Sequence, residues 1–371
     1  MRDARPAAVA AALLLAFGAY WALAANVFLD LFIFRTAAQL ALRADNPYHI
    51  PAIRAAVAGQ YPDDERLIDN CGFFMPPGAL VGFFPLALLP WQGAKLFWVA
   101  LGAFAAFAVG RTVALFRPAG RPPVPGLIGA ILPFLLVLNF LVLAVVMVGQ
   151  TPLIAAGCVV AGLAAFGRGW NTAGAVLWAL PFAKPHVALG LLPLAWYLGG
   201  GELSLIDYVQ WAGAGHKAVA FNRAELAYEM TSWNRLLYVA SGGRWLVEQS
   251  APTILVSYAV GFALVFFRCA AARTKPSEAW ALAMAAALSV VCPQVLAYEL
   301  VGLVLAVPWV RDLFASGHRT WGLAAVALLG AQLIPFQTAD ALGIDWHRPA
   351  GAMAFALVVL FGPLRPARGL Q

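Results

Sequence analysis

Charge is scarce in this sequence. Asp, Glu, Lys and Arg make up only 11% of the 371 residues, while 63% are hydrophobic. A soluble domain carries charge on roughly a quarter of its residues to keep its surface wetted, so a soluble enzyme or free binding module is excluded. Cysteine is also scarce. Cys71, Cys158, Cys269 and Cys292 form no CxxC pair and sit mostly in apolar context, which argues for free thiols and against a zinc site or disulfide framework. There is no HExxH, no DxD and no cluster among the five histidines, so neither a metal site nor a cofactor is expected, although one acid with backbone groups could still hold a divalent cation. No Gly-rich phosphate loop or separate nucleotide-binding segment occurs. An internal repeat is missing as well, which disfavours the common repeat-built transporters.

What the sequence has is long apolar runs. Mean hydropathy is +0.80, and apolar stretches cover 7–29, 73–90, 93–116, 126–148, 152–166, 170–198, 251–267, 277–291, 293–310, 320–339 and 349–363. Most match the ~20 residues that cross a hydrocarbon core of ~30 Å. The first run is too long for the h-region of a signal peptide, roughly 7–15 residues, and reads as a transmembrane helix. The short or proline-broken runs, such as 152–166, suit backbone that lines a protein-enclosed cavity. The expected fold is an all-α polytopic membrane protein, a single transmembrane domain over 1–371 with about ten to twelve crossings.

The formal net charge is +7. It reads as topology signals in short loops, not as a nucleic-acid surface. Thirteen Lys and Arg but only three acids (Asp3, Glu278, Asp312) fall in the N-terminus, the 111–121 loop, Arg168, the 268–278 and 311–319 loops and the C-terminal tail. The remaining loops hold nine Lys and Arg against thirteen acids. By the positive-inside rule the first set is cytoplasmic. That places Asp30, Gln150, Pro293 and two long loops, 30–72 and about 200–250, on the external face. The 73–116 stretch must then cross an odd number of times, with the proline-rich 73–90 as a candidate re-entrant segment.

Asp30 stands where the first apolar run meets external water, and a half-polar helix pattern follows over 30–44 until Asn46-Pro47. Thr36, Gln39 and Arg43 share one face of it, as in a helix lying in the membrane interface. Asp30 is either the N-cap of that helix or a general base partly desolvated by Phe28, Phe32 and Phe34; one residue can do both. Three stretches share its side of the membrane: 72–98 with paired prolines, 147–157 with a Gly-Gln-Thr-Pro break between helices, and 174–194 with Lys184 and His186 inside an apolar run. Lys184 is either a point charge for a phosphate with His186 beside it or a lysine that snorkels to the surface. Glu299 is an acid deep in an apolar span; with Tyr298 and Gln294 it either lines a cavity or is a neutral, hydrogen-bonded glutamic acid. Arg235, in the 231–238 stretch, reads as a loop charge that either closes over a site or is simply solvated. Residues 345–348 read as an interfacial loop with no assigned role. Trp91, Trp98, Trp178 and Trp233 suit either stacking on sugar or prenyl units or an interface belt.

Asp30 with its following helix, Asn46-Pro47-Tyr48, Met75-Pro76-Pro77 with Pro85 and Leu89-Pro90, Gly149-Gln150, Lys184-Pro185, Ser232-Trp233, and Cys292-Pro293 followed by Tyr298-Glu299 together resemble the GT-C superfamily of integral membrane glycosyltransferases. The nearest likeness is to glycosyltransferase family 87, which includes polyprenyl-phosphate-mannose-dependent mannosyltransferases. The likeness covers roughly residues 20–310. It implies a GT-C-like bundle with interfacial helices in its external loops, in the cytoplasmic membrane of a bacterium. It implies transfer of mannose or another hexose or pentose from a polyprenyl-phosphate-linked donor to a lipid or glycan hydroxyl on the external face. By position the catalytic aspartate is Asp30. In that scheme Lys184, His186 and Arg235 balance the donor phosphate. Asn46, Tyr48, Gln150, Trp233, Tyr298 and Glu299 contact substrate. Where the family often has a glycine before Asn-Pro-Tyr, this chain has Ala44-Asp45, and a helix after Lys184 is shortened near 199–207.

Two other classes stand beside this one. A transporter or lipid flippase for an envelope precursor fits the broken helices and the intramembrane lysine. A non-catalytic partner in an envelope assembly fits the shortened segment. Transfer of a lipid-linked sugar separates the enzyme from both.

Overall fold

The computed structural model describes residues 5–25, 28–45, 47, 49–62, 68, 79–115, 140–166, 168–179, 233–245, 251–272, 277–291, 297–334, 336–344 and 346–364. Among these every regular element is helical. The helices fall into two compact units, one built from 5–111 and 140–179 and the other from 233–364.

The first unit holds α1 (Arg5–Ala24), α2 (Leu29–Leu42), α3 (Ile50–Gln60), α4 (Ala79–Leu88), α5 (Trp91–Leu115), α6 (Phe140–Val148), α7 (Pro152–Phe166) and α8 (Asn171–Ala179). In α1 the buried stripe is made of Ala7, Ala10, Ala11, Leu14, Gly18 and Ala22. Large side chains point outward: Val9, Leu13, Leu15, Phe17, Tyr20 and Leu23 are all exposed. Small-in, large-out is the reverse of a water-facing helix and is how helices pack against one another in lipid. α5 is the hub of the unit. A Cβ on Gly18 of α1 would lie 2.6 Å from Val99, one on Gly102 would lie 2.9 Å from Val146 of α6, and one on Gly157 of α7 would lie 2.8 Å from Ala105. Three helices thus reach α5 at distances that only a missing side chain allows.

α4 lies on α2, with the Phe34 and Phe83 rings 4.8 Å apart. Arg35 donates to the last carbonyls of α4, from Nη2 to Leu89 O at 2.8 Å and from Nε to Leu86 O at 3.2 Å. Gln39 adds a bond to Ala87 O at 3.3 Å. A helix end needs partners for its terminal carbonyls, and here a neighbouring helix supplies them. α2 ends at Leu42 with Ala44 N–H bonded to Ala41 O and Asp45 N–H to Leu40 O, and Ala44 takes φ +62°. That is the left-handed closing turn usually given to glycine.

The second unit holds α9 (Trp233–Ala240), α10 (Ala251–Ala272), α11 (Glu278–Val291), a 3₁₀ helix over Ala297–Ala306, α12 (Val307–Ala315), α13 (Arg319–Ala331), α14 (Phe336–Ala341) and α15 (His347–Phe361). Alanine-rich α11 is buried over Ala279–Val290 and packs on the 3₁₀ helix, α12 and α15. Trp280 Nε1 donates to Val359 O at 2.8 Å, and Arg268 closes the end of α15 through Leu360 O and Gly362 O. Val256, Val260, Leu264, Phe266 and Phe267 face outward along α10.

Two described helices, Arg5–Ala24 and Trp91–Thr112, are long and apolar enough to cross a membrane. Val142–Val148 and Pro152–Ala165, bent by 112° at their junction, make a third if they are one broken span. Four shorter apolar helices lie in the second unit. Several expected runs are reshaped. The first helix stops at Ala24, not Leu29. The run 293–310 is divided between the 3₁₀ helix and α12, and 320–339 between α13 and α14. The expected loops at 231–238 and 345–348 are corrected too. α9 takes in the first from Trp233 onward, and His347 and Arg348 open α15 as buried residues, with Arg348 Nη2 donating to Ile334 O at 2.7 Å.

Candidate functional site

The site is assembled where α2 begins. Phe28, wholly buried, precedes the helix, and Leu29 and Asp30 are its first two residues. The N-cap reading of Asp30 is therefore corrected: Phe28 holds that position, and Asp30 lies one step inside the first turn. An acid there complements the positive end of the helix dipole. Side chains are buried on every side from Leu31 to Phe34, so the start of α2 is enclosed by protein.

The sequence Gly149-Gln150-Thr151-Pro152 builds the opposite wall. Gly149 takes φ +87° and Gln150 N–H returns to Val145 O at 2.9 Å, closing α6. Thr151 then opens α7 through its carbonyl, which accepts from Ala155 N–H at 2.9 Å. Pro152 is the first residue of α7, where its missing N–H is no loss. A Cβ on Gly149 would lie 2.6 Å from Leu31 Cβ and 2.7 Å from Leu31 N. The bare backbone of the break thus touches the first turn of α2. That approach delivers Gln150, buried, to Asp30: Gln150 Nε2 donates to Asp30 Oδ2 at 2.5 Å. A hydrogen bond to an ionised acceptor is stronger than one between neutral groups.

Tyr61 packs against the first turns of α2 through Phe32. α3 was not anticipated, although Pro51 at its start and buried Ile53 and Val57 along one face are ordinary helix signals. Its C-cap is Tyr61, whose backbone N–H donates to Val57 O at 2.7 Å. The Tyr61 ring stands edge-on to Phe32 at 5.8 Å, and Phe32 is edge-on to Trp91 at 5.3 Å. Burial, and secondarily the negative charge of Asp30, push the Tyr61 hydroxyl up to about 12. At neutral pH it is a protonated donor.

Lys95 is the buried lysine that sequence reading passed over. It is 2% exposed, its Nζ lies 3.5 Å from Ala25 O at the end of α1, and it sits over the Phe28 and Trp91 rings at 5.9 and 5.5 Å. A cation at a helix C-terminus and over two aromatic faces is favourably placed, so Lys95 ties together the end of α1 and the starts of α2 and α5. The spacing Trp91-x-x-x-Lys95, one helical turn, was the available signal.

The predicted site residues divide as follows. Asp30 and Gln150 are in contact. Gln150 commits its amide to the carboxylate, whereas the expectation gave it to a sugar hydroxyl. Arg235 is a buried helix residue of the second unit, its guanidinium 5.4 Å from the Tyr238 ring centre. Trp233, in the same helix, donates from Nε1 to Ser257 Oγ at 3.2 Å. Asn46, Tyr48, Lys184 and His186 lie outside the described residues, as do the side chains of Tyr298 and Glu299, whose backbone lies in the 3₁₀ helix. Among the described residues no three His, Cys, Asp or Glu side chains come together.

No family model matches the chain, and neither curated proteins nor solved structures give a match.

Proposed function

We propose that this chain is an integral membrane glycosyltransferase of the GT-C kind, resembling family 87. In this reading it is a bundle of about ten to twelve helices in a bacterial cytoplasmic membrane. It moves a sugar from a polyprenyl-phosphate donor to a lipid or glycan hydroxyl on the external face. The observation that carries it is the Asp30–Gln150 pair: a half-buried carboxylate in the first turn of α2, held by an amide across the junction of three helices.

Asp30 takes the proton of the acceptor hydroxyl as that oxygen attacks the anomeric carbon. The bond from that carbon to the phosphate oxygen breaks, and the polyprenyl phosphate leaves with the electron pair. The leaving group is already a stable anion and needs no acid, only cations nearby. Lys184 is assigned that role here. Gln150 holds one carboxylate oxygen, so the base is pre-oriented and not free to rotate.

Helix polarity supports the external placement. Arg5, Arg111 and Arg168 lie at the opposite ends of α1, α5 and α7 from the site, which gathers Ala25, Lys95 and Gln150. Basic residues on the far side are what the positive-inside rule asks of an outward-facing site. The outward apolar stripes of α1 and α10 support a lipid environment.

The test is transfer of radiolabelled mannose from polyprenyl-phosphate mannose to a host lipid extract by reconstituted wild type, Asp30→Asn and Asp30→Ala. Loss of a positioned general base lowers the rate by about 10²–10⁴-fold. Equal rates for all three remove Asp30 as the base. The 112° bend between α6 and α7 is also what a discontinuous transporter helix shows. Gradient-driven uptake into vesicles, with no transfer by wild type, would favour that second reading.

A further inference from the structure

Lys95 is an enclosed cation whose contacts are all loose. It is 2% exposed. Its one hydrogen bond, from Nζ to Ala25 O, is 3.5 Å long, beyond the roughly 2.7–3.2 Å of a good N–H···O bond. The Phe28 and Trp91 ring centres lie 5.9 and 5.5 Å from Nζ, close to the outer limit of about 6 Å for a cation over a ring. Among the described residues no carboxylate pairs with it. An ammonium group has three donors and no acceptor, so most of its donor capacity is unused.

A buried charge without a counter-charge is unfavourable, and inside a membrane segment it marks a functional site by default. Lys95 lies in the first turns of α5, one of the two described helices long and apolar enough to cross a membrane. A second donor at the same place is also unsatisfied. Trp91 stands one turn earlier on the same helix face, and its Nε1–H is buried with no hydrogen-bond partner among the described residues. Nε1 belongs to the ring system 5.5 Å from Nζ, so both donors can meet one tetrahedral anion. A phosphate brings the missing negative charge and several acceptor oxygens together. The neighbouring side chains indicate how it arrives. Leu96 and Phe97, the next two residues, are exposed, and Phe104 continues that outward face two turns on. Side chains of this kind face lipid, so the anion is one carried by a lipid.

We propose that Lys95, with the Trp91 indole N–H one turn before it, binds the phosphate group of a long-chain lipid phosphate that reaches α5 from the bilayer. The choice of occupant rests on the glycosyltransferase reading: that lipid is the polyprenyl-phosphate donor, and Lys95 joins Lys184 in balancing its charge.

The purified full-length protein in detergent is titrated with polyprenyl phosphate, with phosphate-free polyprenol and with inorganic phosphate, and thermal melting is read for wild type, Lys95→Met and Trp91→Phe. Polyprenyl phosphate should raise the melting temperature of wild type, and the other two ligands should not. Lys95→Met keeps the side-chain length and removes the charge. Without ligand it should melt at or above wild type, because no counter-charge is stranded. Its half-saturating polyprenyl phosphate should rise about 10-fold or more, as for loss of a hydrogen bond to a charged group. Trp91→Phe keeps an aromatic face beside the ammonium, and its half-saturation should rise about 10-fold for the same reason. No response of wild type to polyprenyl phosphate overturns the proposal, and so does an equal response to polyprenol. An equal response to inorganic phosphate overturns the lipid occupant. Unchanged half-saturation in Lys95→Met overturns the site, and if that variant does not fold, unchanged half-saturation in Trp91→Phe does the same. Mannose transfer by the same preparations keeps the two readings apart: polyprenyl phosphate bound through Lys95, with no transfer by wild type, overturns the glycosyltransferase reading alone.

Discussion

Gly149→Ala probes the contact on which the site depends. Gly149 sits at φ +87°, where an L-residue with a Cβ loses about 1–2 kcal/mol. The new methyl would lie 2.6 Å from Leu31 Cβ, 2.7 Å from Leu31 N and 3.1 Å from Leu31 Cα. None of these atoms is the tip of a flexible side chain, so relief requires α2 and the α6–α7 junction to part by roughly 1 Å, with an overpacking cost of about 1–3 kcal/mol. Together the variant loses roughly 2–5 kcal/mol of stability. Function suffers separately. The Gln150–Asp30 bond is 2.5 Å, and lengthening it by roughly 1 Å takes it outside hydrogen-bond range. A bond to a charged group contributes about 1.5–3 kcal/mol, which corresponds to a roughly 10- to 150-fold slower transfer if it is expressed in the transition state. The assays are thermal melting in detergent and mannose transfer at saturating substrates, with Gly59→Ala as control. Gly59, in α3, has nothing within 4 Å of its would-be Cβ, and alanine in a helix gains about 0.5–1 kcal/mol over glycine. Wild-type melting and wild-type transfer by Gly149→Ala, with the control behaving as stated, would refute both the close approach and the role given to Gln150.

Ala44→Gly tests the other end of α2. Ala44 already adopts φ +62°, so glycine should stabilise the protein by about 1 kcal/mol, read as raised resistance in chemical unfolding; a loss would mean that the left-handed turn is not there. Arg35→Met removes the donors that close α4 and should cost about 1.5–3 kcal/mol, with Arg35→Lys recovering only part because an ammonium lacks the planar fork. Alkaline pH is a further lever. The Tyr61 hydroxyl is raised from 10.0 to about 12, so between those values the unfolded chain has lost a proton that the folded chain keeps. Stability should therefore fall as pH rises from 10 towards 12, and melting curves of Tyr61→Phe should be flatter over that window than those of wild type.

What was legible in the sequence was local. The 152–166 run and α7 coincide, and the Gly-Gln-Thr-Pro break lies where the glycine's positive φ and the proline's suitability for a first helical turn put it. The half-polar pattern after Asp30 is a helix that ends at Leu42 in the left-handed turn at Ala44, ahead of Asn46-Pro47. The N-cap assignment failed because it rested on residue type. The fully buried Phe28 sets where the chain turns into α2, and packing overrode the preference for a short polar cap. The loops assigned at 231–238 and 345–348 failed for a related reason. Arg235 looked like a loop charge and His347 and Arg348 looked interfacial because they are polar, yet each is buried by helix packing that residue type alone does not reveal.

The partners of Asp30 were the illegible part, and the reason is chain distance. Gln150 lies 120 residues away, and only a backbone contact at a glycine brings it close. Tyr61 ends a short helix that hydropathy for membrane spans does not register, since α3 has just eleven residues. Its amphipathic signature, Pro51 in the first turn and then Ile53 and Val57 one turn apart, is present in the sequence but is too short to raise a span-length hydropathy average. Lys95 escaped for the opposite reason, because one cation inside a 25-residue apolar helix barely alters the average. In a chain so poor in charge, each ionisable group inside an apolar helix constrains its surroundings more than the mean hydropathy does. Lys95 needs a helix C-terminus and two aromatic rings, Arg35 needs the carbonyls of α4, and Asp30 needs Gln150. These three requirements together position α1, α2, α4, α5 and the α6–α7 junction relative to one another.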